Sequence, residues 1–213
     1  MNWNPGNVPL TTILIWTIIA FCSGSLMFSY WLGRLALKRD IREVGDGNPG
    51  TANVIKAGGA KLGAVAFLLD FLKGSIPVAI ARYGFGIYGF ALLPVCFAAI
   101  FGHAYSPFLR FKGGKAMAVT AGVFTGITFW ETPTLGGIVL GVMFAFHARS
   151  GWAVVFTFGC MFVYYALTSN DRSVLALVAG TMLFMAWKYR ADLRYPLEPR
   201  DWLKRRLGRM PTP

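Results

Sequence analysis

The apolar positions of this chain fall in long unbroken runs, not in the alternating pattern of a half-solvated strand. Leu10 to Leu32 holds no charged residue and exceeds the roughly 20 apolar residues that a helix needs to cross a bilayer core. No basic stretch precedes it, so it predicts a first membrane span and not a cleaved signal. Leu62 to Ala81 predicts a second span. It carries Asp70 and Lys73 three residues apart, on one helical face, where charges at membrane depth are expected to pair. Pro77 is expected to kink this span. Tyr83 to Gly102 predicts a third. Ala116 to Trp130 and Thr132 to Ala148, divided at Glu131-Thr132-Pro133, predict two short antiparallel spans. Ser150 to Thr168 and Ser173 to Trp187, separated by a turn at Asn170-Asp171-Arg172, complete seven.

Charge orients these spans. With the N-terminus outside, all of the 21 basic residues except Lys73, Arg82 and Arg172 fall on the inner side, as the positive-inside rule requires. An odd number of spans preserves that alternation. The expected fold class is therefore an all-α integral membrane protein of about seven transmembrane helices, N-terminus outside and C-terminus cytoplasmic. It is read as a single polytopic membrane domain over residues 1–213, multi-pass in the cell (inner) membrane. A basic cytoplasmic tail from about residue 190 is expected to lie on the membrane surface or to be disordered.

Composition narrows the function classes. Only 14% of the residues are charged, against about 25% in soluble domains, and 15% are aromatic, which excludes a disordered chain. The net charge of +12 sits beside apolar runs, so it suits anionic membrane lipids and not nucleic acid. Cys22, Cys96 and Cys160 each lie within an apolar run and read as packing residues. No metal-ligand spacing, paired carboxylates or Ser-His-Asp order is present, and neither a metal nor a cofactor is expected.

Two glycine-rich basic segments fall on the same predicted inner side. The first runs from Asp40 to Lys56 through Gly45, Gly47 and Gly50. Glycines let successive N–H groups converge on an anion, and Asn48, Thr51, Asn53 and Lys56 add side-chain donors ahead of a helix start. Asp46 among such donors needs a partner, for which Arg42 and Lys56 are the candidates. The second runs from Gly102-His103 to Lys112-Gly113-Gly114-Lys115. It lacks Walker A spacing but again suits phosphate. His103 reads either as a base or phosphate donor or as a structural hydrogen-bonding group, and His147 in the same way. A plain inter-span loop with basic residues for topology remains the other reading of the first segment. Together the two segments suggest a small phosphorylated substrate near the lipid interface.

These residues resemble a known family, the bacterial acyl-phosphate:glycerol-3-phosphate acyltransferases (PlsY), over nearly the whole chain from Ser23-Gly24-Ser25 to about Arg194. Gly45-Asp-Gly-Asn-Pro-Gly-Thr-Ala-Asn-Val54, closed by Lys56, is similar to its first motif. Asp70-Phe-Leu-Lys-Gly74 is similar to its Asp-x-x-Lys-Gly, and Gly102-His103 with Phe111-Lys-Gly-Gly-Lys115 to its central motif. The resemblance implies a seven-span enzyme that moves a fatty acyl group from acyl phosphate to glycerol 3-phosphate, forming lysophosphatidic acid. It assigns catalysis to the positions of Asp46, His103 and Lys115. Substrate binding falls to Arg42, Gly47, Asn48, Gly50, Asn53, Lys56, Lys73, Lys112, Gly113, Gly114, Ser150 and Arg190. The chain departs from the family pattern at Asp46 (serine), Lys56 (arginine), Ala116 (glycine), Ala153 (serine), Tyr189 (histidine) and Asp192 (asparagine). A family member that is non-catalytic, or altered in its acceptor, and binds an anionic lipid or polyol phosphate is the alternative those departures raise.

Overall fold

The computed structural model describes residues 8–206, and its elements are helices joined by turns. The chain divides into two compact units, one through Pro133 and one from Thr134. Four helical stretches among the described residues are long and apolar enough to cross a membrane: Leu10–Ala36, Thr51–Gly84, Gly89–Leu109 and Ser150–Thr168.

The first unit contains α1 (Leu10–Ser25), α2 (Phe28–Ala36), α3 (Thr51–Ala79), α4 (Leu93–Ala104) and α5 (Met117–Thr128). The expected first span is broken. At Leu26 the backbone becomes extended and its N–H turns back to the Ser23 carbonyl, and α2 starts afresh two residues later. An interruption at membrane depth is tolerated where the freed backbone groups find partners inside the protein. Here the Ser25 carbonyl accepts the Ser106 hydroxyl at 2.7 Å, and the Leu26 carbonyl accepts the Lys73 ammonium.

Helix α3 also differs from expectation. It begins at Thr51, well before Leu62, and its one non-helical residue is Gly59 (φ 80°), not Pro77. A helical proline has no N–H to offer the carbonyl four residues back. The Ser23 hydroxyl satisfies that carbonyl, Lys73 O, at 2.8 Å, so the helix runs through Pro77 and ends in a wider π turn at Ile80–Gly84.

Glycines let two helix pairs pack at backbone contact. A Cβ on Gly24 would collide with the Ala99 carbonyl and one on Gly102 with the Phe21 carbonyl, which seats α1 on α4. A Cβ on Gly74 would meet the Val119 carbonyl and one on Gly122 the Phe71 carbonyl, which seats α3 on α5. Lipid is as apolar as leucine, so close van der Waals packing at small residues is what holds such helices together. Large side chains on the outer face of α1, including Leu10, Leu14 and Ile18, are exposed, while Ser29, Asn53, Asp70, Lys73 and His103 are buried. Polar groups thus point inward, while the outer face of α1 is apolar.

The second unit holds all but the first turn of α6 (Glu131–Phe146), then α7 (Ser150–Thr168), α8 (Arg172–Lys188), α9 (Arg190–Leu193) and α10 (Asp201–Arg206). Asp171 caps α8 by accepting the Ser173 N–H at 2.9 Å. The segment after Arg194 is docked against the C-terminal end of α6, which removes the disordered alternative expected for the tail. Ala148 N–H donates to the Glu198 carbonyl, Arg200 N–H to the Phe146 carbonyl, and the Trp202 indole to the Ala145 carbonyl. Arg209, also counted in that tail, lies outside the described residues.

The packing predicts that Gly122→Ala, which adds one methyl against the Phe71 carbonyl, destabilises the protein by about 1–3 kcal/mol. Thermal unfolding in detergent measures this. An unchanged midpoint would show that α3 and α5 separate without cost.

Candidate active site

The first glycine-rich segment is shaped by Asp40. Its carboxylate accepts the Arg42 backbone N–H at 3.0 Å and the Arg42 and Arg34 guanidinium groups at 2.7 and 2.8 Å. The hydrogen bond from the Arg42 side chain leads the effects that lower the Asp40 carboxyl pKa to about 2. Arg42 also lies over the Tyr30 ring at 4.9 Å. Arg42 is therefore committed to Asp40, and it is not the partner of Asp46.

Gly45 (φ 62°) and Gly47 (φ 73°) adopt left-handed backbone, which no side chain favours, and together they project Asp46 across the loop. Asp46 Oδ1 accepts the Asn48 N–H at 3.2 Å and the Asn53 amide at 3.0 Å. Its Oδ2 accepts the Lys115 ammonium at 2.9 Å. Burial pushes the Asp46 carboxyl pKa up, but Lys115, the Asn48 N–H and the Asn53 amide outweigh it, and the net shift is downward. The partner of Asp46 thus comes from the second glycine-rich segment and not from Arg42 or Lys56. A further link joins the segments: Lys115 N–H donates to Asn48 Oδ1 at 3.0 Å. Lys56 is exposed, with its ammonium beside Gly45, and Gly50 is the N-cap residue of α3.

The second segment is positioned by His103 at the end of α4. The His103 carbonyl accepts the Gly114 N–H at 3.1 Å. A Cβ on Gly113 would strike that carbonyl, and one on Gly114 would strike the imidazole, so the loop lies flat against His103. Arg110, Phe111 and Ala116 take positive φ as the chain curls around it. Lys112 is exposed and Lys115 half-buried.

Beneath the loops is a buried polar centre. Asp70 and Lys73 form an ion pair at 2.7 Å, both side chains 1% exposed. Lys73 Nζ also contacts the Leu26 carbonyl and, at 2.8 Å, His103 Nδ1. The Ser29 hydroxyl completes the set by donating to Asp70 Oδ2 at 2.5 Å.

Thus Gly47, Asn48, Gly50, Asn53, Lys56, Lys73, His103, Lys112, Gly113, Gly114 and Lys115 all belong to one unit with Asp46. Ser150 and Arg190 belong to the other. There the Ser150 hydroxyl donates to Asp192 Oδ2 at 2.7 Å, and Arg190 stacks over Trp187 at 4.3 Å. Sequence reasoning missed Asp40 and Ser29. Asp40 had a signal, since an aspartate two residues before an N–H that needs an acceptor makes an Asx turn. Ser29 had none, as it sits in an otherwise apolar run.

The fold and this loop-built polar site define an all-helical membrane protein whose buried charges support a surface cluster of lysines, asparagines and glycine N–H groups. The family model described as glycerol-3-phosphate acyltransferase matches residues 14–198. "Glycerol-3-phosphate acyltransferase 1" of Thermotoga maritima is 32% identical over 190 residues, covering 83% of this chain and 93% of that protein. The glycerol-3-phosphate acyltransferase of Hydrogenovibrio crunogenus is also 32% identical, covering 89% and 90%. Among solved structures, the glycerol 3-phosphate form of PlsY (YgiH), an integral membrane glycerol 3-phosphate acyltransferase, superposes with a TM-score of 0.77 at 29% identity. That match covers 92% of this chain and 93% of that one. The chain belongs to the glycerol-3-phosphate acyltransferase family.

Arg110 is exposed and left-handed (φ 51°, ψ 45°) as it closes the short turn before the Lys112–Lys115 loop. Arg110→Gly is expected to relieve about 1 kcal/mol of backbone strain and to raise the unfolding midpoint. A lowered midpoint would mean that the Arg110 side chain stabilises the loop by more than its backbone strains it.

Proposed function

We propose that this chain transfers a fatty acyl group from acyl phosphate to glycerol 3-phosphate, forming lysophosphatidic acid at the cytoplasmic face of the cell membrane. The observation that carries the reading is the junction of the two glycine-rich loops, where Lys115 N–H meets Asn48 Oδ1 and the Lys115 ammonium meets Asp46. That junction joins the lysines and N–H groups of both loops into one cluster suited to phosphate. The related PlsY structures, one in a glycerol 3-phosphate form and one in a lysophosphatidic acid form, support the acceptor and the product.

In this reaction the acceptor hydroxyl oxygen attacks the acyl carbonyl carbon. The bond from that carbon to the phosphate oxygen breaks, and inorganic phosphate leaves with the bonding pair. The hydroxyl proton passes to a substrate phosphate oxygen, so no strong protein base is required. Lys56, Lys115 and the loop N–H groups hold the two anions in register and offset charge on the leaving phosphate. Lys112, at the rim, adds to the field that draws them in. The Lys73 ammonium has only protons to offer, so His103 accepts at Nδ1 and carries its own proton at Nε2. His103 on this reading holds the Lys112–Lys115 loop and does not take the substrate proton.

Purified protein supplied with acyl phosphate and glycerol 3-phosphate is expected to release phosphate. Lys56→Ala and Lys115→Ala should each raise the KM for a phosphorylated substrate roughly ten- to a hundredfold, the effect of losing a charge-assisted hydrogen bond. Lys204→Ala, in the docked tail beside Glu198, should leave it unchanged. Equal effects at all three positions would point to general surface electrostatics, and no release by folded parent protein would favour the non-catalytic reading.

The proposal carries seven spans with the N-terminus outside and both loops inside. In a background lacking Cys22, Cys96 and Cys160, an impermeant thiol reagent should label Asn170→Cys in intact cells and leave Glu43→Cys unlabelled. Both positions are exposed, so the reverse pattern would invert the orientation.

A further inference from the structure

We propose that Asp46 is the specificity-determining residue of this site: an internal carboxylate that holds the Lys115 ammonium until a phosphate monoester dianion displaces it. The proposal rests on the acyl-transfer reading for the identity of that phosphate, which belongs either to the acceptor or to the acyl phosphate.

Three donors converge on the Asp46 carboxylate: the Asn48 N–H and the Asn53 amide from the first loop, and the Lys115 ammonium from the second. One backbone N–H, one side-chain amide and an ammonium are also what a phosphate group seeks. Asp46 therefore occupies anion-binding donors with an anion of its own. In the family pattern this position is a serine, whose hydroxyl donates to an anion and does not compete with it.

The contact is placed to be exchanged. Asp46 is 46% exposed and Lys115 22%, so the pair lies at the open edge of the loops, where ion pairs are weak and solvent reaches both partners. Behind it, Asn53 is fixed and buried, its amide shared between Asp46 and the Asn48 carbonyl. Asn53 Oδ1 is buried without a hydrogen-bond partner. That orphan atom is an acceptor and offers an anion nothing; the donors already in position are what a phosphate uses.

An internal competitor selects by charge. A monoanionic ligand would trade places with Asp46 like for like, while the tethered carboxylate keeps the advantage of high effective concentration. A phosphate dianion brings a second charge and a third oxygen, enough to reach the Lys56 ammonium and the glycine N–H groups as well. The site therefore admits phosphate monoesters and rejects simple carboxylates, at the cost of some affinity for both.

Calorimetric titration of the full-length protein in detergent at pH 8, with inorganic phosphate and with acetate as probes, tests this on the parent, Asp46→Ser and Asp46→Asn. Both variants should bind phosphate about tenfold tighter, and acetate binding should become measurable, so that the preference for phosphate falls. In steady-state assays the substrate whose KM drops, acyl phosphate or glycerol 3-phosphate, identifies whose phosphate displaces the carboxylate. Unchanged phosphate affinity in both variants with acyl transfer intact would overturn the proposal alone. Turnover lowered about a hundredfold at constant KM would overturn it in favour of Asp46 as a base. Tightened phosphate binding without acyl transfer in any variant would uphold it and overturn the acyl-transfer reading instead.

Discussion

The Lys73 ammonium is the group around which the first unit is arranged. A charge placed among apolar helices is tolerated only when its donors are met, and taking away one partner of such a buried pair costs about 3–5 kcal/mol. Its partners come from three places in the chain: Asp70 one turn earlier on α3, the Leu26 carbonyl at the break between α1 and α2, and His103 at the end of α4. The break in the first helix exists so that a backbone carbonyl can face this charge. The imidazole that receives its third contact is the one against which the Lys112–Lys115 loop is folded. Geometry at the surface loops is thereby set by electrostatics in the interior.

The glycines divide into two roles. Those in helices, such as Gly24, Gly74, Gly102 and Gly122, remove side chains so that backbones touch. Those in the loops, such as Gly45 and Gly47, permit left-handed turns that aim neighbouring polar groups inward. Packing by the first group makes a rigid platform, and turning by the second places donors on its rim. A site built from flexible loop residues gains precision because both loops are stitched to helices through Asp40, His103 and each other.

Much of this was legible in the chain itself. The apolar runs mark where the helices lie, and the Asp70–Lys73 pair follows from three-residue spacing on one face. The α5–α6 and α7–α8 junctions fall within a few residues of Glu131-Thr132-Pro133 and Asn170-Asp171-Arg172. What stayed hidden were choices among equivalent partners. Arg42 and Lys56 were each a plausible counter-ion for Asp46, and only the fold shows that Asp40 holds Arg42 while Lys115 arrives from nearly seventy residues away. The break at Leu26-Met27 carries no proline or glycine of its own, and the Ser23-Gly24-Ser25 just before it is the local signal. Pro77, which does announce a break, is rescued by the Ser23 hydroxyl, which meets the freed Lys73 carbonyl fifty positions along the chain.

The buried charge pair also constrains how the chain is made. Ribosomal synthesis delivers α1 and α2 first, then α3 with Asp70 and Lys73, and His103 only with α4. When α3 enters the bilayer, Ser29 and the Leu26 carbonyl are already available to shield its charges, whereas the imidazole is not. The groups that meet the α3 charges thus lie on both sides of it in the chain: Ser29 and the Leu26 carbonyl before it, and His103 after it.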